Sequence, residues 1–250
     1  AAVLSSVAQM KTIVETAGRD DLETAASLEE LVATQFLRDE GSRFLFHQEL
    51  ARRTIYQNII PLRRRLLHKR AAEALVTWSE SNEQLGTVAF HFETAGESNL
   101  AIDYYRQAAA TSMTIYAYGE AVERLEKAVA LAQDSSDSIV SLPDLYEEIG
   151  DCKTITGDFE AAEKAYRMAC PKVSADNPLR LAELERKLAA TLPPQHREDE
   201  AETLYRRVLT RLEKIPPATD MKTRNDTKLN ILLGLSDALY FRNQPDAMNA

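Results

Sequence analysis

One stretch constrains the fold of this chain more than any other: PDLYEEIGDCKTITGDFEAAEKAYRMAC, residues 143–170. It divides at Gly157-Asp158. These two residues read as the turn between two helices, where glycine tolerates the left-handed backbone of a helix end. On either side of that turn the small residues Gly150, Ala162 and Ala169 stand among Tyr146, Ile149 and Tyr166 at helical spacing. Small residues let two helix backbones approach closely, and large ones fill the gaps beside the contact. The pattern predicts an antiparallel pair of short helices. Such a pair cannot bury its apolar face alone, so further pairs are expected beside it.

In a 34-residue frame from Pro143 these positions are those of a tetratricopeptide (TPR) repeat, with Lys153 departing from a usually aromatic position. Weaker copies surround it. QLGTVAFHFETAGESNLAIDYYRQAAA supplies Ala89, Phe92, Gly96, Ala101, Tyr105 and Ala108. YAYGEAVERLEKAVA supplies Ala121, Leu125 and Ala128, so soon afterwards that one helix over about Leu100–Ile115 is expected to serve two pairs. LAELERKLAATLPPQHREDEAETLYRRVL supplies Leu188, Ala189, Ala201, Tyr205 and Val208, with a longer turn at Pro193–Arg197 that lacks the usual glycine. LLGLSDALYFRNQPDA opens a further pair. Gln133–Ser141 and Ile215–Asn225 read as loops.

The first 60 residues read differently. Helical patterns cover Ala1–Ser6 and about Met10–Ala17, with Gly18 as a stop. Asp20 and Glu23 form a capping-box pattern ahead of a helix to about Gln35, which lines up Leu28, Leu31, Val32 and Phe36. FLRDEGSRFLFH then predicts a hairpin turning at Asp39–Ser42. Three helices and a hairpin in this order suggest a winged helix. Gln48–Ile59 follows as a helix with Leu50, Ala51, Ile55 and Ile59 at helical spacing. Pro61 opens another, on which Leu62, Leu66, Ala71, Ala74, Leu75 and Trp78 are expected to face inward and Arg64, Arg65, His68 and Lys69 outward. Trp78 reads as a packing anchor. The expected fold is therefore mainly α: a winged-helix domain with a short β-hairpin over 1–60, a basic linking helix over 61–81, and a TPR-like α-solenoid over 82–250.

Charge is unevenly placed. The chain carries a net −9, but residues 43–70 hold eight basic side chains and one acidic, a net +7. Such an island suits phosphate, nucleic acid or an acidic protein surface, or else is a solvated helix face. Arg52, Arg53, Arg64, Arg65 and Lys69 are the candidates for an anion or interdomain contact. The two cysteines, Cys152 and Cys170, have no metal-type spacing and read as small packed hydrophobes. With no signal peptide and no apolar run of membrane-spanning length, a cytoplasmic location without membrane contact is expected. The sequence lacks an initiator Met and stops within a helical pattern, so a fragment is expected.

FLFHQELARRTIYQNIIPLRRRLLHKRAAEAL, followed at once by the helix pairs, resembles the STAND signal-transduction ATPases, especially MalT-like or LuxR-type regulators and TPR-bearing class III adenylate cyclases. The resemblance covers essentially the whole chain. It implies an ATPase core upstream, a winged helix that restrains it, and a TPR-like sensor that binds an inducer or protein partner and promotes oligomerisation. ATP or ADP with Mg belongs to that core. No GxxxxGK[ST] occurs here, so this region is expected to bind no cofactor of its own and not to be an enzyme. His47 matches the family's winged-helix histidine that touches the ADP phosphate. Gln48 stands where aspartate is common, and the competing role for His47 is that of a strand end bonded to nearby backbone.

Two other functions compete. A DNA-binding winged helix is disfavoured, because Asp21–Gln35 carries Asp21, Glu23, Glu29 and Glu30 and no Lys or Arg. A free-standing TPR scaffold could grip an acidic peptide tail, but only Lys153 and Arg186 or Lys187 are candidate clamp residues. Tyr104, Tyr105, Tyr116 and Tyr118 could wall an inducer pocket or fill the core. Catalytic readings are poor. His47, His68, His91 and His196 are scattered, His91 reads as structural, and the carboxylates Glu147/Glu148 and Glu198–Glu200 are expected on exposed faces or turns.

Overall fold

The structure is a computed structural model that describes residues 2–4, 7–41, 43–78, 84–134, 141–214 and 221–243. Within them it divides into two units. One runs from the N-terminus to Thr111 and takes in the end of the helix Tyr118–Asp134. The other comprises Ser112–Val129 and everything from Leu142 onward.

The first unit opens with a strand, β1 (Val7–Gln9), then α1 (Met10–Ala17), α2 (Asp21–Ala33), β2 (Leu37–Asp39) and β3 (Arg43–Phe46). The expected hairpin is present. Gly41 takes φ +82° at its tip and its N–H is held by the Asp39 carboxylate at 2.8 Å. The helical expectation for Ala1–Ser6 is overturned: residues 2–4 form a turn, and Ala1, Ser5 and Ser6 lie outside the described residues, as does Ser42 of the hairpin turn. β1 then pairs antiparallel with β3, Ala8 opposite Phe44, giving a sheet of order β1-β3-β2. Three residues are too few for the alternation of a strand to declare itself. Asp20 caps α2 as expected, accepting from the Leu22 N–H at 2.9 Å. Glu23 instead pairs with Arg19, so the reciprocal half of the box is not formed.

α3 (Glu49–Asn58) and α4 (Pro61–Trp78) follow. The inward face of α4 holds Ala71 and Ala74 as expected, with Leu75 partly buried, and departs from the expected one at its first turns and at its end. Leu62 is 78% exposed and Leu66 48%, whereas His68, Ala71, Ala72 and Ala74 are buried. α4 lies against α1 on one side and α5 (Leu85–Ala95) on the other. Ala71 joins the N-terminal core with Ile13, Leu28 and Leu37, and Ala72 joins the next with Val88, Phe92 and Ala101. A helix packed on two sides needs small residues at both contacts, so the alanines mark its buried face, with Leu67 and Leu75 partly buried beside them. Trp78 is half-exposed, its ring 4.8 Å from the Lys11 ammonium of α1. α3 buries no residue fully, and Leu50 is largely exposed.

Helix pairing then takes over. α6 (Ser98–Thr114) is one continuous helix serving two partners, as expected. It meets α5 through Phe92 stacked on Tyr104 and a 2.5 Å bond from the Tyr105 hydroxyl to Glu93. It meets α7 (Tyr118–Asp134) through Arg124 and Ser112.

In the second unit α8 (Leu142–Ile155) and α9 (Phe159–Ala169) form the clearest pair. Tyr146, Ile149, Ala162, Tyr166 and Ala169 are all buried. Gly157 takes φ +78°, and the Asp158 carboxylate caps α9 by accepting from Ala161. A Cβ on Gly150 would lie 2.5 Å from the Tyr166 ring. Lys153, the departure from the repeat pattern, reaches across the turn to Asp158 at 3.2 Å.

α10 (Pro178–Ala190), α11 (Glu198–Glu213) and α12 (Met221–Asn243) complete the unit. The glycine-free turn between α10 and α11 is a short 3-10 segment closed by His196 at φ +58°. Of the two expected loops, Gln133 and Asp134 still belong to α7, and from Met221 the chain is already helical. Residues 135–140, 215–220 and 244–250 lie outside the described residues.

Two substitutions test this packing. Gly150→Ala gains about 1 kcal/mol of helix propensity but drives a methyl into the Tyr166 ring. Overpacking of about 1–3 kcal/mol should win, lowering stability in urea unfolding. His196→Gly relieves a non-glycine left-handed residue. It should stabilise the chain by about 0.5–1 kcal/mol, because His196 is exposed and loses no packing.

Candidate functional site

The expected anion site centres on His47. It follows β3 directly, is exposed, and its backbone N–H donates to the Phe36 carbonyl at 3.1 Å. Thr34, Gln35, Phe36, Gln48 and Ala51 join it around a cavity of about 260 Å³. Gln35 holds φ +60° there, turning the chain from α2 into the hairpin. Phe36, expected on the inner face of α2, is 47% exposed instead, because the helix has already ended.

The basic residues disperse around the elbow of α3 and α4. Arg52 grips Glu49 at 2.7 Å and also reaches the Ala2 carbonyl, and Arg53 shares Glu49 at 3.2 Å. Arg52, then burial acting the opposite way, then Arg53 set the Glu49 carboxyl, which is held down to about 2. Arg64 donates to the Gln57 and Ile59 carbonyls and covers the Tyr56 ring. Lys69 pairs with Glu97 at 2.5 Å. Arg70 reaches the Ala17 carbonyl at the end of α1. Arg63 and Arg65 are exposed and form no ion pair with a described residue.

His68, expected to face outward, is buried instead. Its Nδ1 lies 2.8 Å from Nδ1 of His91 on α5, and its Nε2 lies 2.9 Å from the Tyr56 hydroxyl on α3. Phe90 packs edge-on against both imidazoles. His91, expected to be structural, is buried as well, and its Nε2 has no hydrogen-bond partner among the described residues. One proton between two imidazole nitrogens makes a hydrogen bond, and a second breaks it. Burial lowers both groups to about 4, with Arg64 adding to the effect at His68 and His68 at His91. Nothing in the spacing of His68 and His91 foretold the pair. The signal was the alanine face of α4, which places position 68 on the buried side.

In the second unit each of four successive helices carries one nearly buried glutamate held by cations. Glu147 of α8 receives Arg180 and Lys187 from α10, and Glu163 of α9 receives Arg197 at 2.6 Å. Glu185 of α10 receives Arg207 and Arg211, and Glu202 of α11 receives Arg242. Burial works to raise Glu147 and Glu163, but their cationic partners outweigh it and hold both below the usual carboxylate range. Glu147 is thus a packing group and not the exposed carboxylate expected. Each candidate clamp residue is also committed: Lys153 to Asp158, Arg186 to Glu183, and Lys187 to Glu147 and Asp151. Of the tyrosines considered for an inducer pocket, Tyr105 is core, Tyr104 is stacked on Phe92, and Tyr116 is 81% exposed in an edge contact with Tyr118.

Among the described residues no group of three His, Cys, Asp or Glu side chains could hold a metal ion. Cys152 is buried beside Met113, and burial pushes the Cys170 thiol up to about 11, so neither is poised as a nucleophile. Among the described residues no helix is long and apolar enough to cross a membrane.

No protein-family model matches the chain, and no curated protein matches it. Solved structures do. A crystal structure of BtubC (BKLC) from P. vanneervenii is 17% identical, covering 81% of this chain and 88% of that one, with a TM-score of 0.46. A crystal structure of MamA protein is 19% identical, covering 64% of this chain and 92% of that one, with a TM-score of 0.38.

The buried histidines carry a pH dependence with a definite sign. A base that stays neutral in the fold but accepts a proton when unfolded lets acid favour unfolding. Their contribution is complete above about 6.5 and is lost as pH falls from there toward 4. Between pH 7 and pH 5 the chain should lose about 1–2 kcal/mol per histidine. Urea unfolding of His91→Phe at the two pH values should show a smaller loss than wild type.

Proposed function

We propose that this chain is the regulatory and sensor region of a larger STAND-type ATPase. In this reading residues 1–60 act as a winged helix that restrains a separate nucleotide-binding core, 61–81 link it onward, and the TPR-like pairs from 82 bind an inducer or protein partner. Opening of that clasp would promote assembly in the cytoplasm. The observation that supports it best is the order of elements: strand, two helices and hairpin with sheet order β1-β3-β2, leading through α3 and α4 directly into helix pairs. A winged helix has this sheet. His47, exposed at the end of β3 beside a cavity, is available to a phosphate oxygen as a charge-assisted donor. Arg52, Arg53, Arg64, Arg65 and Lys69 supply positive potential around the elbow. Arg65 is the one of these with no ion pair or hydrogen bond among the described residues.

DNA binding is the poorer account. Asp21, Glu23, Glu29 and Glu30 are all exposed on α2, the helix that would enter a groove. A free-standing repeat scaffold remains the second reading, supported by the α8–α9 pair. It would recognise its partner by something other than a carboxylate clamp, since the candidate cations are engaged.

The test uses a protein that carries this region together with its nucleotide-binding core. After denaturation, chromatography should find ADP released from wild type and lost from His47→Ala. ADP retained by both would return His47 to a structural role. No nucleotide in either would favour the scaffold.

A further inference from the structure

The first turns of α4 present an apolar line to solvent. Leu62 and Leu66 are one turn apart on one side of the helix, 78% and 48% exposed, and Ile60, in the elbow just before, is 64% exposed. At 100° per residue Arg63 and Arg65 fall on either flank of that line. Both are exposed, and neither forms an ion pair or hydrogen bond among the described residues. The local carboxylate, Glu49, is already held by Arg52 and Arg53. Neighbouring cations are turned inward too: Arg64 to the Gln57 and Ile59 carbonyls and Lys69 to Glu97. The packing of α4 on α1 and α5 uses the opposite side, through His68, Ala71 and Ala72. Large aliphatic side chains standing in water between unpaired guanidinium groups have no role in the packing of this unit, and a surface of this kind marks an interaction site.

We propose that this face of α4 docks an acidic amphipathic helix on another protein, with Leu62 and Leu66 against its apolar seam and Arg63 and Arg65 against carboxylates on either side. Charge complementarity selects the occupant. Residues 43–70 carry +7, so a partner surface that approaches Leu62 must be negative to avoid repulsion. A second copy fits less well. Another exposed apolar line, Leu229, Leu232 and Leu233 on α12, lies on a helix whose early turns carry Lys222, Arg224 and Lys228 against the single carboxylate Asp226, a net positive charge. Like charges would meet there. This surface is independent of the His47 reading, and the nucleotide experiment can fail without affecting it.

The experiment uses the 250-residue chain and two fluorescein-labelled synthetic helices. Both carry a leucine seam, one with glutamate and one with lysine at the flanking positions, and anisotropy is read at 50 and 300 mM NaCl. The glutamate helix should bind, and more weakly at the higher salt. Leu62→Ser/Leu66→Ser and Arg63→Glu/Arg65→Glu should each weaken it by about tenfold or more, while thermal melts stay near wild type because all four side chains are exposed. Equal binding of the lysine helix, or unchanged affinity in both double variants, would overturn the proposal. So would tighter capture by phosphatidylserine–phosphatidylcholine vesicles through the same residues. A concentration-dependent dimer in sedimentation, lost in Leu62→Ser/Leu66→Ser, would assign the face to a second copy instead.

Discussion

Everything in the first unit depends on α4 being narrow. The helix is packed by α1 on one side and by α5 on the other, and it meets them through consecutive alanines, Ala71 in the N-terminal core and Ala72 in the next. Each alanine removes side-chain bulk where two backbones must approach, so one helix serves two cores, with Leu67 packed on the first and Leu75 on the second. A larger side chain at either position would have to displace α1 or α5, and with it the sheet or the first helix pair. The buried His68 sits on the same side and ties α3, α4 and α5 together through Tyr56 and His91. An imidazole can bond on two sides at once, which a leucine there could not do.

The same fact explains where the sequence was legible. In α8 and α9 the large Tyr166 packs over the small Gly150, and spacing alone located the pair and its turn. α4 defeats that reasoning. Hydrophobic periodicity assumes that leucine seeks the inside, so it placed Leu62 and Leu66, which are exposed, on the same face as Ala71 and Ala74, which are buried. A helix buried on two sides hides small residues at its closest contacts, and here Leu67 and Leu75 pack beside them while Leu62 and Leu66 face outward. The strand β1 was missed for a different reason: its pairing with β3 comes from residues more than thirty positions away and leaves no local periodicity in three residues. His196 shows a third limit. Its turn lacks glycine, yet the backbone still enters the left-handed region where the Pro193–Gln195 segment ends.

The candidate sites were legible as residue types and not as environments. His47 was expected at a strand end and is there, exposed. The cationic run was visible as charge, but most of its members serve the fold. Arg64 and Arg70 satisfy carbonyls near the C-terminal ends of α3 and α1, where a helix leaves acceptors unpaired and its dipole favours a cation. Arg52 and Arg53 converge on one glutamate near the start of α3, where a carboxylate is favoured. A count of charges cannot separate those duties from recognition. Only the partners of each side chain can.

That distinction also bears on the repeats. The four glutamates Glu147, Glu163, Glu185 and Glu202 each bond to a cation from a later element, so the ion pairs follow the order of the stack. Desolvation makes such pairs poor sources of net stability, but removing one partner strands the other charge. Their physical effect is register. A helix shifted by one turn along its neighbour would leave a glutamate without its arginine, a cost that apolar contacts between alanines and leucines would not impose. The small residues permit close approach and the glutamates choose among the possible approaches. The cations within that ladder are therefore committed to the fold, each already bound to a carboxylate.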